Sequence, residues 1–150
     1  MKDYGDLRRI LGPCGLNCEK CISFEEGEIG KAATLLKELL GNNFAAYASR
    51  FASFDPVFSN YPAFSSFLDR LASGKCRGCR DGECLFQKCR VKDCVKEKGV
   101  DFCFQCEEFP CSGHGFKEGL KGRWEEKNRM MKEMGIERFY EKTKEEDRYP

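Results

Sequence analysis

Histidine occurs once in this 150-residue chain, at position 114, and no P-loop, dinucleotide fingerprint or paired-carboxylate arrangement is present. A cysteine–histidine catalytic pair would have to be Cys111 with His114, and nothing beside them in the sequence offers an orienting group or oxyanion donors. Long apolar runs are missing too. The longest uncharged stretch, Pro56 to Leu68, is too short to cross a bilayer and contains Pro62, so a soluble chain is expected. Charge of one sign is not in excess: the net charge of +1 gives the whole molecule no bias toward nucleic acid or membrane. The opening residues carry acids and no apolar core of a secretory signal, which leads to an expected cytoplasmic location.

Conventional core residues are also scarce. Apolar residues make up 41% of the chain, but cysteine supplies eleven of them. Eight cysteines lie between Cys76 and Cys111, and from Gly74 to Gly113 there are only eight other apolar side chains. Such a stretch cannot hold itself together by burial alone and needs cross-links. In a reducing compartment CxxC pairs bind metal or do redox chemistry, and an odd cysteine count leaves one thiol over in any all-disulfide scheme. Metal is therefore the expected cross-link. Lys75 to Lys98 carries eight Lys/Arg against four Asp/Glu. That excess suits the negative charge of thiolate-bound metal better than it suits nucleic acid, which is not expected as a partner.

Periodicity predicts a helix over Lys31–Leu40, with Ala32, Leu35, Leu36, Leu39 and Leu40 on one face and Gly41 ending it. A second helix begins at Asn43, with Phe44, Tyr47, Ala48 and Phe51 inward. A third starts near Pro62, with Phe64, Phe67, Leu68 and Leu71 inward. The phenylalanines at 44, 51, 64 and 67 read as core. Cys89–Lys98 is expected to make one or two helical turns ended by Gly99. After Gly115 a charged helix turns Leu120, Trp124, Met131 and Met134 inward as far as Gly135, followed by a short piece with Ile136, Phe139 and Tyr140. The tail after Lys142 is expected to fray. The best strand candidate is Val100–Phe104. The expected class is mainly α: one small helical domain over 1–150 with little or no β. Its helical parts are near 28–73 and 115–142, and its metal-pinned cysteine-rich loops are near 12–22 and 74–113.

Cys76-Arg-Gly-Cys79 and Cys103-Phe-Gln-Cys106 each look like half of a structural zinc site, since two intervening residues let both sulfurs reach one ion at tetrahedral angles. Spacing favours Cys76, Cys79, Cys89 and Cys94 around one ion. Cys103, Cys106 and Cys111 would hold another, with a fourth ligand from the amino-terminal cluster Cys14, Cys18 and Cys21. That cluster has the x3, x2 spacing of radical S-adenosylmethionine enzymes, but the chain is too short for their partial barrel and has Lys20 where they carry an aromatic residue. The only histidine, in a Ser-Gly-His-Gly loop, is expected to be exposed.

The motifs Cys14-Gly-Leu-Asn-Cys18-Glu-Lys-Cys21, Cys76-Arg-Gly-Cys79-Arg80, Cys89-Arg-Val-Lys-Asp-Cys94 and Lys98-Gly-Val-Asp-Phe-Cys103-Phe-Gln-Cys106-Glu-Glu-Phe-Pro-Cys111 together resemble a family of small cysteine-rich prokaryotic proteins. That family is classed as a domain of unknown function and credited with zinc binding. The resemblance implies metal-ligand roles for Cys14, Cys18, Cys21, Cys76, Cys79, Cys89, Cys94, Cys103, Cys106 and Cys111. Cys84 departs from the family spacing and His114 has no counterpart in it. The expectation is a zinc-binding protein with two or more structural ions and no catalysis of its own, acting as an interaction or adaptor module toward a protein partner. The alternative is an iron–sulfur protein in electron transfer or redox sensing, because three cysteines at this spacing plus a fourth can hold a four-iron cluster.

Overall fold

A computed structural model describes residues 2–81 and 84–150. It contains seven α-helices: α1 (Tyr4–Ile10), α2 (Glu28–Leu40), α3 (Phe44–Phe51), α4 (Tyr61–Ala72), α5 (Val91–Lys98), α6 (Glu118–Met134) and α7 (Ile136–Thr143). Single 3-10 turns lie at Pro56–Asn60 and Cys103–Gln105. Among the described residues there is no strand, only two isolated bridges, Leu11 with Asn17 and Phe24 with Cys76, so the expected mainly helical class holds. Val100–Phe104, the strand candidate, closes into a turn instead. The Gln105 carboxamide oxygen accepts the N–H groups of Asp101 and Phe102, both at 2.9 Å, and so takes the amides that a strand would offer to a neighbour. No helix among the described residues is long and apolar enough to cross a membrane.

Local signals explain most of the boundaries. Asp3 caps α1 by accepting the Asp6 N–H at 2.8 Å. Gly99, at φ 67°, stops α5 in the left-handed conformation that other residues resist. Gly135 alone, at φ 81°, separates α6 from α7.

Two hydrophobic clusters make the core. In the first, Leu7 and Ile10 of α1 and the adjoining Leu11 pack with Met131, Ile136 and Phe139 of α6 and α7, around Phe24 and Phe102 from the cysteine-bearing loops. The second gathers Cys14, Cys103, Val91 and Val95 against Trp124, with Phe109 and Phe116 at its edge. The long helix α6 therefore serves as the floor on which the cysteine loops rest. It presents Trp124, Asn128 and Met131 at helical spacing, and the fully buried Asn128 accepts the Phe104 N–H at 3.0 Å and donates to the Trp124 carbonyl at 3.0 Å.

The phenylalanine stripes do not form core as expected. In α2–α4 only Ala33, Ala48 and Leu68 are buried. Leu39 is 74% exposed, Phe67 63%, and Phe54, just beyond α3, 86%. These helices lie against one another, with Phe44 on Tyr61 (ring centroids 5.0 Å apart) and Phe51 on Phe58 (5.3 Å). A layer of helices buries an apolar face only against a second layer, and here one face meets none. The tail also departs from expectation. Lys20 Nζ donates to the Glu146 carbonyl at 3.0 Å, Lys127 pairs with Glu146, and the Ile22 N–H donates to the Tyr149 hydroxyl at 3.2 Å, so the tail is pinned over the first cysteine cluster.

Phe102→Ala should cost about 3–5 kcal/mol in urea denaturation. Leu39→Ala should change stability by no more than about 0.5 kcal/mol. Equal losses would contradict this division between core and uncovered helices.

Candidate metal centres

Three loops and the helix α5, which carries Cys94, bear the cysteines, and specific backbone bonds bring the loops together. The Cys76 N–H donates to the Ser23 carbonyl and the Glu25 N–H to the Cys76 carbonyl, both at 2.9 Å. Gly74 makes this approach possible, since a Cβ there would lie 2.9 Å from the Phe24 carbonyl oxygen. The Cys103 N–H donates to the Pro13 carbonyl at 3.2 Å. Arg80, next to Cys79, sends its guanidinium to the carbonyls of Arg8, Leu11 and Asp101 while stacking over Phe102, 4.9 Å from the ring centroid. Sequence reasoning saw Arg80 only as a motif letter; the structure makes it the clamp between α1 and two cysteine loops.

Joined in this way, the eleven thiols line two cavities. The larger, about 290 Å³, takes Cys14, Cys18, Cys21, Cys76, Cys79, Cys84 and Cys89, with Phe24, Phe86 and Phe116 as apolar walls and Arg123 and Arg148 at its side. Cys84, which departs from the family spacing, thus lines this cavity with the other six. The smaller, about 20 Å³, is lined by Cys94, Cys103, Cys106 and Cys111 with Val91, Val95, Phe109, His114 and Trp124.

The grouping differs from the one that spacing suggested. Cys94 joins Cys103, Cys106 and Cys111, while the amino-terminal cysteines meet the set at 76–89. The reason is α5. Val91, Cys94 and Val95 fall at i, i+3 and i+4 on one helix face, Val91 and Val95 are buried, and that face carries the Cys94 sulfur away from Cys89. That stripe was available in the sequence. His114 is buried, not exposed. Its Nδ1 accepts the Phe116 N–H at 2.8 Å and its ring lies 4.8 Å from the Trp124 ring.

Among the described residues, no three His, Cys, Asp or Glu side chains are set as a ready-made metal cage. The surroundings nonetheless fit thiolate-bound metal. The indole Nε1 of Trp124 is buried without a hydrogen-bond partner and lies close enough to the Cys103 thiol to favour its charged form. The Gly78 and Phe86 N–H groups point at the sulfurs of Cys76 and Cys84, each at 3.4 Å. A Cβ at Gly12 would lie 3.2 Å from the Cys14 sulfur and 3.5 Å from that of Cys79, so glycine leaves the two sulfurs room to approach each other. A groove of about 770 Å³ beside Cys76 adds Arg70, Lys75, Arg77 and Arg80 against one acid, Asp81. Cationic and N–H groups of this kind stabilise thiolates bound to a metal ion.

Over residues 10–115 the chain matches the family described as a protein of unknown function (DUF3795), and it belongs to that family. The matched span contains all eleven cysteines, as the cysteine motifs led one to expect. No curated protein and no solved structure matches the chain.

Without metal the buried thiols are held neutral. Burial pushes Cys14 up to about 11 from 9.0 and Cys103 up to about 12. A group whose folded-state pKa is raised contributes stability that is complete below its unfolded value, near 9, and that disappears as pH climbs toward the folded value. Metal-free protein should thus lose on the order of 2–3 kcal/mol through Cys14 between pH 9 and about 11. Cys14→Ala should lack that part of the decline in denaturant titrations; identical pH profiles would refute the buried neutral thiol.

Proposed function

With the chain placed in that family, we propose that it is a zinc-binding protein whose metal is structural, and that it acts as an interaction module without catalysis of its own. One observation carries the reading: all eleven thiols divide between two cavities, with none left elsewhere. The smaller cavity suits a closed site. Four cysteines around one small void, beside the buried Trp124 N–H, would supply the four thiolates of a tetrahedral ion and leave no open position for a substrate. Closed sites of this kind contribute on the order of 10 kcal/mol each toward folding. That supplies what a loop region poor in apolar side chains lacks. Cys94 on α5, Cys103 and Cys106 around the 3-10 turn, and Cys111 would be tied to one point, fixing loop 99–115 on α6. The partner face of such a module is the uncovered surface of α2–α4, where Leu35, Leu39, Phe54, Val57 and Phe67 are exposed.

The size and apolar walls of the larger cavity favour a second reading there, a four-iron cluster held by four of the seven sulfurs. The room left between thiols favours zinc. Sulfurs on one zinc ion sit about 3.8 Å apart, from a bond length of about 2.3 Å, and Gly12 leaves the Cys14 and Cys79 sulfurs room to come that close. An iron–sulfur cluster would hold its cysteine sulfurs farther apart.

Protein purified without oxygen or chelator should be colourless and contain zinc and no acid-labile sulfide. Stripping the metal at neutral pH should lower the thermal midpoint by tens of degrees, and Cys106→Ser should lose one equivalent of zinc. A brown sample with iron and sulfide would replace zinc by redox chemistry, and a metal-free sample of unchanged stability would refute structural metal altogether.

A further inference from the structure

Helices α2 and α4 run antiparallel. Gly30, near the start of α2, sits against Leu71 near the end of α4, and Gly74, just past α4, lies on Phe24, just before α2. Each helix turns one stripe to the other, where Ala33 and Leu68 are buried and Lys37 pairs with Asp69 at 2.6 Å. A second apolar stripe lies roughly a quarter-turn away, Leu35, Leu36 and Leu39 on α2 and Phe64 and Phe67 on α4. It is displaced in the same rotational sense on both helices, which in an antiparallel pair brings both stripes to one side of the hairpin. The five side chains are 39–74% exposed.

We propose that this face is covered by the same face of a second copy of the chain, so that two α2–α4 hairpins close into a four-helix bundle with two-fold symmetry. The proposal rests on the reading of this surface as the partner face of the module, and it names the partner.

Area and charge both point to a second copy. Side chains of this size present roughly 200 Å² each when free, so the five leave on the order of 500 Å² uncovered. A stable dimer takes about 800 Å² from each partner, of which about 65% is apolar. The face meets that requirement without help from other segments. Residues 28–72 hold four acids and four bases, so neither an acidic nor a basic partner is preferred. The charges beside the stripe are instead complementary to themselves. Lys31 and Glu38 stand two turns apart along one edge of it, on either side of Leu35, and both are exposed. Unlike Lys37, neither has an ion-pair partner among the described residues.

A two-fold axis crossing α2 between Thr34 and Leu35 runs this helix antiparallel to its copy. It sets Lys31 opposite Glu38 of the second copy, and by symmetry the pair forms twice. Because Gly30 is level with Leu71, the same axis crosses α4 near Ser65 and Ser66, to within one residue. There Phe64 faces Phe67 of the second copy. One symmetry operation thus satisfies the charges of α2 and the aromatic stripe of α4 together. The core of the chain does not use this face, so dissociation leaves a folded monomer whose own denaturation is almost indifferent to substitutions on it.

The test is sedimentation equilibrium on the full, metal-loaded chain over about 1–1,000 μM, with binding of an apolar fluorescent dye measured in parallel. A reversible dimer with a micromolar dissociation constant is expected. Lys31→Glu and Glu38→Lys should each weaken it about tenfold, since either change turns two attractive pairs into repulsive ones. The double variant Lys31→Glu/Glu38→Lys should regain the original affinity, which requires the two positions to meet across the axis. Phe67→Ser should abolish the dimer and leave circular dichroism unchanged, the side chain being exposed. A dimer indifferent to these changes, or single variants that the double variant does not rescue, would overturn the proposed interface. A monomer at every concentration would overturn the second copy as partner. If that monomer binds dye and Phe67→Ser loses it, the face is open to a different protein and the module reading stands. If it binds no dye there, the partner-face reading itself fails.

Discussion

The backbone pairing of Ser23 and Glu25 with Cys76, together with the bond from the Cys103 N–H to the Pro13 carbonyl, turns three separate cysteine runs into two clusters. Neither contact involves a cysteine side chain. Each brings a later loop onto the segment 12–25, and that segment is in turn held by Leu11 and Phe24 in the core. Arg80 reinforces the arrangement, because a planar guanidinium can donate to several carbonyls at once, here three from two separate parts of the chain. The cysteines are thus presented by a scaffold whose geometry is set by peptide groups.

Burial and charge act in opposite directions around these thiols. Loops too poor in apolar side chains to fold by burial place their sulfurs against Trp124, Phe24 and Phe116, in surroundings that favour the neutral thiol. Around the same cavities lie Arg80, Arg123, Arg148 and backbone N–H groups, which favour the thiolate. A divalent ion resolves the conflict by accepting the thiolates' charge in the apolar setting. The near-neutral net charge of the whole chain conceals this local organisation, since acids elsewhere in the chain offset the excess of Lys and Arg between Lys75 and Lys98.

The helices α2–α4 have a different character. They are locally well specified by periodicity, a helix-starting Pro62 and a terminating Gly41, and still expose most of their apolar residues. The body of the protein makes its core from α1, α6, α7 and the cysteine loops, and draws little from these three helices. Amphipathic periodicity says that a face can be buried; it does not say that a partner for that face lies within the same chain.

Periodicity and glycine placement were enough to predict α2 to α7 as helices, with Gly99 and Gly135 as stops, because these are local effects acting over a few residues. The cysteine motifs were enough to identify the family. α1 escaped notice, being seven residues long with only Leu7 and Ile10 to mark its buried side. What the sequence did not determine was which sulfur meets which. Cys94 belongs with Cys103 because Val91 and Val95 turn its face of α5 toward Trp124. Cys14 and Cys79 meet across Gly12, and His114 is buried because Phe116 and Trp124 close over it. Spacing along the chain constrains only sulfurs a few residues apart. Contacts between segments far apart in the chain depend on the core and the backbone bonds that bring them together, and only the tertiary structure decided those.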